Sequence, residues 1–298
     1  MDQIIKYKNV EITIRRDDLL HPLISGNKFR KLKYNIQEAQ NNNFKGLITF
    51  GGAYSNHILA TAAAAKEYNF KCIGIIRGDE LKDNYRENPT LKFAEELGMQ
   101  FIFVSREEYK ERNTEFYNNH LSLIYPDYYI VPEGGTNSLA VKGCEEIITT
   151  TDSMYNFICC ATGTGGTISG IINSLHQNQK ALSFPVLKDQ SLHSTIKSLI
   201  KYPEKENWDI VDTYHFNGYG KVNDELIKFI NQFFNTFDIP LDPVYTGKLF
   251  YGIFDMIDHK IFNPNDKILA IHTGGLQGIH GMNQLLKKKN KETIKLTF

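Results

Sequence analysis

The chain reads as an α/β protein built on open, twisted parallel sheet, and three observations predict it. Short apolar runs closed by glycine or proline recur through both halves of the 298 residues. Helix-like stretches separate them, and some carry explicit start and stop residues. Such strand–helix alternation suits right-handed crossovers between parallel strands.

The elements follow in order. A strand-like opening covers Val10 to Ile14. Ser25-Gly26-Asn27-Lys28 follows as a loop, because glycine and asparagine disfavour a regular helix, and a basic helix-like run continues from it. Leu47-Ile48-Thr49-Phe50 is an apolar strand ended by Gly51-Gly52. An alanine-rich helix then runs from about Asn56 to Tyr68, and Cys72 to Ile76 is the next strand. Asn88 as N-cap, Pro89 at the first helical position and Gly98 past the end punctuate a further helix. Phe101 to Val104 is a strand, and Ser105 with Glu108 reads as a capping box opening another helix. Tyr129 to Pro132 closes the first half. In the second half, Phe157 to Cys160 is a strand, Thr162 to Thr167 a glycine-rich turn, and a helix follows from about Ile168. Lys267 to His272 is a late strand closed by Thr273-Gly274-Gly275. Between Lys180 and Tyr219 only a helix over Ser191 to Ile200 stands out. No linker and no internal repeat marks a domain boundary.

Composition excludes more than it assigns. The length suits one large domain or two modest ones. Lys+Arg and Asp+Glu both number 34, so no global charge points to nucleic acid or an anionic membrane. Cys72, Cys144, Cys159 and Cys160 form neither a C-x-x-C pair nor a zinc spacing, and reduced thiols in a cytoplasmic protein are expected. No apolar run reaches the length of a membrane span, and the start has no signal-peptide core.

The residues that suit chemistry cluster at the glycine turns. Lys28 is a candidate amine for a Schiff base with a carbonyl cofactor, provided it is held near the carbonyl and deprotonated. Ala161-Thr162-Gly163-Thr164-Gly165-Gly166-Thr167 leaves a strand and opens a helix. Exposed N–H groups there attract a phosphate, although a tight strand-to-helix turn has the same pattern. No Gly-Lys-Ser/Thr follows, so it is not a Walker A loop, and Ile168 stands where G-x-G-x-x-G needs its third glycine. Gly51-Gly52-Ala53-Tyr54-Ser55-Asn56-His57 repeats the logic: Ser55 sits at an N-cap, and the free N–H groups suit a carboxylate. In Asp242-Pro243-Val244-Tyr245-Thr246-Gly247-Lys248 a tyrosine and a threonine precede a helix beginning near Gly247. Tyr245 is either a proton donor or gate, or a buried aromatic with one satisfied hydroxyl. Thr273-Gly274-Gly275 ends a strand where α/β proteins tend to bind ligands. Glu133-Gly134-Gly135-Thr136-Asn137 is a similar turn with a structural reading. Ser25-x-x-Lys28 matches the S-x-x-K nucleophile signature, but Gly26-Asn27 disfavours the helix it needs and no S-D-N or K-T-G follows.

Taken in order, Ser25 to Leu32, Gly51 to His57, Pro132 to Asn137, Thr162 to Thr167, Asp242 to Lys248 and His272 to Gly275 resemble the 1-aminocyclopropane-1-carboxylate deaminase and D-cysteine desulfhydrase family. The resemblance spans nearly the whole chain. It implies a fold-type-II architecture with two open α/β domains and pyridoxal 5'-phosphate in the cleft between them. Residues 33–141 would form a smaller inserted domain, and 1–32 with 142–298 the larger one. Lys28 matches the Schiff-base lysine and Lys31 a basic contact near the phosphate. Thr162, Gly163, Thr164, Gly165, Gly166 and Thr167 match the phosphate loop, and Thr273 and Gly274 further cofactor contacts. Asn56 matches the partner of the ring hydroxyl. Ser55, Asn56 and His57 would hold a substrate carboxylate through backbone N–H groups, with Tyr219 and Tyr245 facing the substrate. A small amino acid as substrate, a homodimer, and no nucleic-acid or membrane partner are the matching expectations.

Thr246 says most about chemistry. By the resemblance it lies against the pyridine nitrogen, where the deaminase branch has glutamate and the desulfhydrase branch threonine. A neutral hydroxyl makes the ring a weaker electron sink than a carboxylate would. That suffices to expel a good β leaving group, so β-elimination is favoured over cyclopropane opening. Three departures from the family pattern bear on substrate choice: a short stretch between the phosphate loop and Asp242, Tyr54 in place of smaller or amide residues, and Leu276-Gln277-Gly278 after the last motif. A dehydratase or racemase of the same fold, or a non-catalytic phosphate-ligand-binding protein, would share much of this pattern.

Overall fold

The computed structural model describes residues 2–295. Strands β1 (Asp2–Tyr7) and β2 (Val10–Arg15) form an antiparallel hairpin, and helix α1 (Asn27–Asn41) follows. Next come β3 (Gly46–Gly51), α2 (Asn56–Glu67), β4 (Lys71–Arg77) and α3 (Pro89–Glu96). β5 (Met99–Val104), α4 (Glu115–Ile124), β6 (Tyr128–Val131) and α5 (Ser138–Glu145) continue the alternation. The chain proceeds through β7 (Phe157–Thr162), α6 (Gly166–Ser174), β8 (Lys180–Pro185), α7 (Leu192–Leu199) and β9 (Trp208–Ile210). It ends with α8 (Asp224–Phe237), α9 (Thr246–Asp258), β10 (Ile268–Ile271) and α10 (Gly278–Lys288).

Two sheets result. One has the order β5-β4-β3-β6 and is parallel throughout; the other runs β1-β2-β10-β7-β8-β9 and is parallel except for the β1–β2 pair. Both sheets are buried on both faces, as parallel sheets require. Cys159 and Ala270 point into one apolar cluster of the larger sheet, while Ile158 and Leu269 point into another. In the smaller sheet Leu47 and Ile76 face one cluster, Ile48 and Ile75 the other. Register places Ile271 opposite Cys160 and Thr49 opposite Val131. The turns that leave β7 and β10 therefore emerge side by side, as do those that leave β3 and β6. All four lie at carboxyl ends of parallel strands, where open α/β sheets bind ligands.

The sequence punctuation holds in detail at two helices. Asn88 Oδ1 accepts from the N–H groups of Thr90 (2.9 Å) and Leu91 (3.1 Å), with Pro89 beginning α3. Ser55 caps α2 by accepting from the Ile58 N–H at 3.4 Å. Ser105 forms half of its box, accepting from the Glu108 N–H at 3.1 Å, while the Glu108 carboxylate accepts the Tyr117 hydroxyl at 3.0 Å. Without the return bond only a short 3₁₀ segment forms over Glu108–Asn113, and Thr114 caps the true helix α4. The hairpin strand β1, strands β8 and β9, and helices α8 and α10 add to the sequence expectation.

Helices α1, α5 and α6 cross at close range and connect the two sheets. A Cβ on Gly143 of α5 would overlap the Arg30 carbonyl of α1, and one on Gly170 of α6 would stand 2.5 Å from the Cys144 Cβ. Only glycine admits these approaches, and backbone atoms have no rotamer with which to yield. Gly143→Ala should thus destabilise the protein by about 1–3 kcal/mol as an overpacking change. A urea midpoint equal to that of the parent would refute this account of the helix contact.

Candidate active site

Gly26 sets the geometry from which the rest follows. Its φ of +64° suits glycine, and a Cβ there would strike the Thr273 carbonyl. The Asn27 N–H donates to that same carbonyl at 3.2 Å, pinning the start of α1 to the turn after β10. Lys28 consequently lies in the first turn of a helix rather than in a loop. The helix starts immediately after Gly26, because the glycine takes the whole chain reversal itself.

Lys28 and Lys31 are neighbours on one face of α1. Lys28 opens onto the cleft, and its Nζ donates to Asn27 Oδ1 at 3.0 Å, while Asn27 Nδ2 donates to Thr167 Oγ1 at 2.9 Å. Burial, and after it the charge of Lys31, lowers the Lys28 amine to about 7. Lys31 is buried, and its Nζ donates to the Gly134 carbonyl (3.0 Å), Thr136 Oγ1 (2.9 Å) and, at longer range, Thr164 Oγ1 (3.4 Å). Burial lowers its pKa too. The carboxylates just upstream are committed elsewhere: Asp17 bonds Arg30 (2.5 Å) and Asp18 bonds Arg16 (2.7 Å).

A buried ammonium without a carboxylate calls for an anion, and the glycine turn is placed to receive one. Lys31 Nζ lies 3.2 Å from where a Gly166 Cβ would be, so it stands beside the N-terminus of α6. That terminus begins after Gly165 at φ +85° and has no side-chain cap. Ammonium and positive helix end repel each other alone and both attract a phosphate. Gly163 borders the same space, with the Tyr245 ring 3.4 Å from its would-be Cβ. Lysine amine, anion cradle and aromatic wall fit a phosphorylated aldehyde cofactor.

The opposite walls come from α2, the last glycine turn and α9. Asn56 Nδ2 lies 2.9 Å from the would-be Cβ of Gly275. The His57 imidazole turns toward the smaller sheet: Thr49 Oγ1 donates to the Val131 carbonyl (2.9 Å), so it accepts from His57 Nε2–H (2.7 Å). His57 Nδ1 is buried and has no hydrogen-bond partner among the described residues. Burial first, then Lys28 and Lys31, holds this imidazole well below its usual pKa. The Tyr245 hydroxyl reaches Tyr219 at 3.4 Å, and burial holds its pKa well above the usual value. Thr246 Oγ1 donates to Asp242 Oδ1 at 2.8 Å and accepts from the Asp242 N–H at 2.8 Å. Asp242 also accepts from the N–H groups of Val244, Tyr245 and Thr246.

Direct approaches link the predicted residues: Lys28 through Asn27 to Thr167, Lys31 to Thr164 and Gly166, Gly163 to Tyr245 and on to Tyr219, Thr273 and Gly274 to Gly26, and Gly275 to Asn56 and to Asp242, which backs Thr246. The Thr162 side chain is held within the sheet, accepting from Ser183 Oγ at 2.8 Å. Three contributors escaped the sequence reading. Asn27 and Thr136 contact the two lysines, and Asp242 backs Thr246. Asp242-Pro243 before a helix was a capping signal that could have singled out the aspartate. Thr136 lies in a turn read as structural, and only its pairing with Lys31 across the fold gives it a role.

A family model described as pyridoxal-phosphate dependent enzyme matches residues 2–274. A putative 1-aminocyclopropane-1-carboxylate deaminase of Thermotoga maritima is 32% identical over 92% of this chain and 92% of its own. The bifunctional D-cysteine desulfhydrase/1-aminocyclopropane-1-carboxylate deaminase of Arabidopsis thaliana is 32% identical over 91% of this chain and 73% of its own. The solved structure of a homologue of the same deaminase superposes with a TM-score of 0.79 at 28% identity, covering 93% of this chain and 89% of the other.

The lowered Lys28 pKa has a direct chemical signature. Reductive alkylation with a small aldehyde should label Lys28 with a pH midpoint of about 7, rising with pH to a plateau, whereas exposed lysines keep gaining toward 10.5. Peptide mapping across pH reads both; a Lys28 midpoint near 10 would mean that burial does not perturb the amine.

Proposed function

Because the chain belongs to the pyridoxal-phosphate-dependent enzymes, and among them to the 1-aminocyclopropane-1-carboxylate deaminases and D-cysteine desulfhydrases, we propose that it eliminates the β-substituent of a small amino acid, with D-cysteine as the principal substrate. D-cysteine and water give pyruvate, ammonia and hydrogen sulfide. The observation that carries this reading is the Lys28 amine at the start of α1, one turn from the buried Lys31, which stands beside the uncapped N-terminus of α6. Four buried free thiols support a reducing, cytoplasmic setting.

When bound, pyridoxal phosphate supplies an electron sink for the pair left behind at the α-carbon. The chain's own residues supply the rest. Lys28 Nζ would hold the cofactor and, once released from it, would take the α-proton. Lys31 and the turn from Gly163 to Thr167 hold the phosphate; Thr162 contributes only backbone. Asn56 takes the ring hydroxyl, and Thr273 and Gly274 line the cofactor's edge through backbone. Ser55, Asn56 and His57 hold the substrate carboxylate through N–H groups, which the outward turn of the His57 ring leaves unobstructed. Tyr245 remains protonated and, with Tyr219, orients the leaving group. Thr246 faces the ring nitrogen.

One observation favours a second reading, ring opening of 1-aminocyclopropane-1-carboxylate. Asp242 polarises the Thr246 hydroxyl and leaves it an acceptor, which strengthens the sink beyond that of an isolated hydroxyl. The products separate the two, since ring opening gives ammonia and a four-carbon 2-oxo acid without sulfide.

Borohydride treatment of the holoenzyme should leave a pyridoxyl mass on the Lys28 peptide, and Lys28→Ala should lose that mass and more than ~10³-fold in turnover. Assays across D- and L-cysteine, D-serine and the cyclic amino acid should give sulfide and pyruvate in equal amounts, with D-cysteine having the highest kcat/KM. Preference for the cyclic amino acid would select the second reading, and full turnover by Lys28→Ala would end both.

A further inference from the structure

Lys248 breaks three local rules at once. It lies in the first turn of α9, where the helix end is positive and a cation is disfavoured. It is 1% exposed, and an ammonium is rarely enclosed to that degree. Among the described residues no carboxylate pairs with it, as the buried Asp242 acts on it only at a distance. Rules broken together at one position mark a residue kept for something other than stability.

What surrounds the ammonium shows what it does. Its Nζ donates to three backbone carbonyls: His215 (2.9 Å), Gly218 (2.9 Å) and, more weakly, Val186 (3.3 Å). Val186 follows β8, a strand of the larger sheet. His215 and Gly218 belong to the loop that presents Tyr219. That loop has an unfavourable backbone: Phe216 (φ +50°), Asn217 (+65°), Gly218 (+117°) and Gly220 (+66°) all occupy the left-handed side. Phenylalanine is a residue that seldom accepts such a φ. Among the described residues two backbone–backbone bonds tie the loop to itself, Gly218 N–H to the His215 carbonyl (3.0 Å) and Lys221 N–H to the Gly218 carbonyl (3.2 Å), beside a bond from the Asn217 N–H to His215 Nδ1 (3.1 Å). Both backbone–backbone bonds use carbonyls that the ammonium also binds. Tyr219 is half-exposed, and its ring stands edge-on to Tyr245 at 6.1 Å between centroids.

We propose that Lys248 is a positioning residue, a tethered cation in a three-carbonyl cage that fixes the loop 215–220 and so holds Tyr219 against Tyr245 over the substrate site. It rests on the reading above in placing Tyr219 at the substrate. The three N–H groups of an ammonium match three convergent acceptors one to one. A planar guanidinium does not. The cage also has the character of a monovalent-cation site, since carbonyl oxygens gathered around a point charge replace its hydration.

The test uses the holoenzyme. Lys248→Met should retain pyridoxal on Lys28 and raise KM for D-cysteine about tenfold or more with kcat changed less than about threefold, the pattern of lost uniform binding. Amide exchange in the 215–221 peptide should rise while peptides of the smaller sheet stay protected. Ammonium or potassium chloride should reverse both effects, with choline chloride at equal ionic strength inert. In a Tyr219→Ala background the Lys248 substitution should raise KM no further, because both act through one contact. Unchanged exchange, absent cation rescue or additive KM effects would each overturn the proposal. Should Lys248→Met not fold, Lys248→Arg keeps charge and stem; a normal KM in that variant also overturns it. The exchange and rescue readouts need no substrate, so an enzyme that turns over none of the amino acids tested would defeat the functional reading and leave the clip to stand on its own data.

Discussion

Lys31 is enclosed and Lys28 half-buried at the start of α1, one turn apart, and among the described residues neither has a carboxylate partner. Burying even one ammonium in this way is costly unless its pKa falls or an anion accompanies it. The first response holds at both lysines, and the second would need an anion between Lys31 and the start of α6. The Lys28 amine is lowered to about 7, and Lys31 points at an uncapped helix end whose own charge is positive. The surroundings make sense as a means of keeping this uncompensated charge in place. Gly26 and the Thr273 carbonyl start the helix at the correct residue, and Gly143 lets α1 approach α5 closely enough for Lys31 to reach across to Thr136 and Gly134.

The two acids just upstream of the lysines, Asp17 and Asp18, are held by arginines, and so is Asp152. Arg15 bonds Asp152 at 2.8 Å, Arg16 bonds Asp18 at 2.7 Å, and Arg30 bonds Asp17 at 2.5 Å. Arginine is suited to this, because its fork binds a carboxylate at two points and remains charged at any working pH. Asp17 and Asp18 stand just before the helix and are paired by arginine, while Asp242, whose charge reaches Lys28, is held by the N–H groups of Val244, Tyr245 and Thr246. A free carboxylate there would take the ammonium of Lys31 for itself and close the anion site. Charge balance in this region therefore works as selectivity as much as stability.

The sequence disclosed most where one residue type has one physical use. Pro89 after Asn88 could only open a helix, and Gly163 to Gly166 after an apolar run could only turn tightly toward a helix start. The two lysines, Tyr245 and Thr246 were nameable because their motifs came in a fixed order. Less was legible where the partner lies far along the chain. Asn27 was visible as a helix-disfavouring residue, but its bond to Thr167 spans 140 positions. Lys28 was taken for a loop residue because a propensity argument cannot foresee that Gly26 performs the turn alone. Strand β1 buries only Ile5, so its sparse apolar pattern carried little signal. Nor does the sequence near His57 disclose that its imidazole turns away to the hydroxyl of Thr49, eight residues upstream on β3.

The contact between Thr246 and Asp242 limits what this cleft can do more than the identity of Thr246 alone does. A threonine hydroxyl has one proton to donate and two lone pairs with which to accept. Here its proton lies toward Asp242 Oδ1, since rotating it away would leave two oxygens facing each other at 2.8 Å with no hydrogen between them. One lone pair already receives the Asp242 N–H, so what remains for a ligand is an acceptor. In the role proposed for it, Thr246 would therefore favour a ring nitrogen that carries a proton over one that does not. A carboxylate absent from position 246 itself stands one hydrogen bond behind it, and in that role its charge would reach the ring through the hydroxyl. An enzyme so built sits between a bare hydroxyl and a direct carboxylate in electron-withdrawing power, and that intermediate strength makes the boundary between β-elimination and ring opening narrow in this cleft.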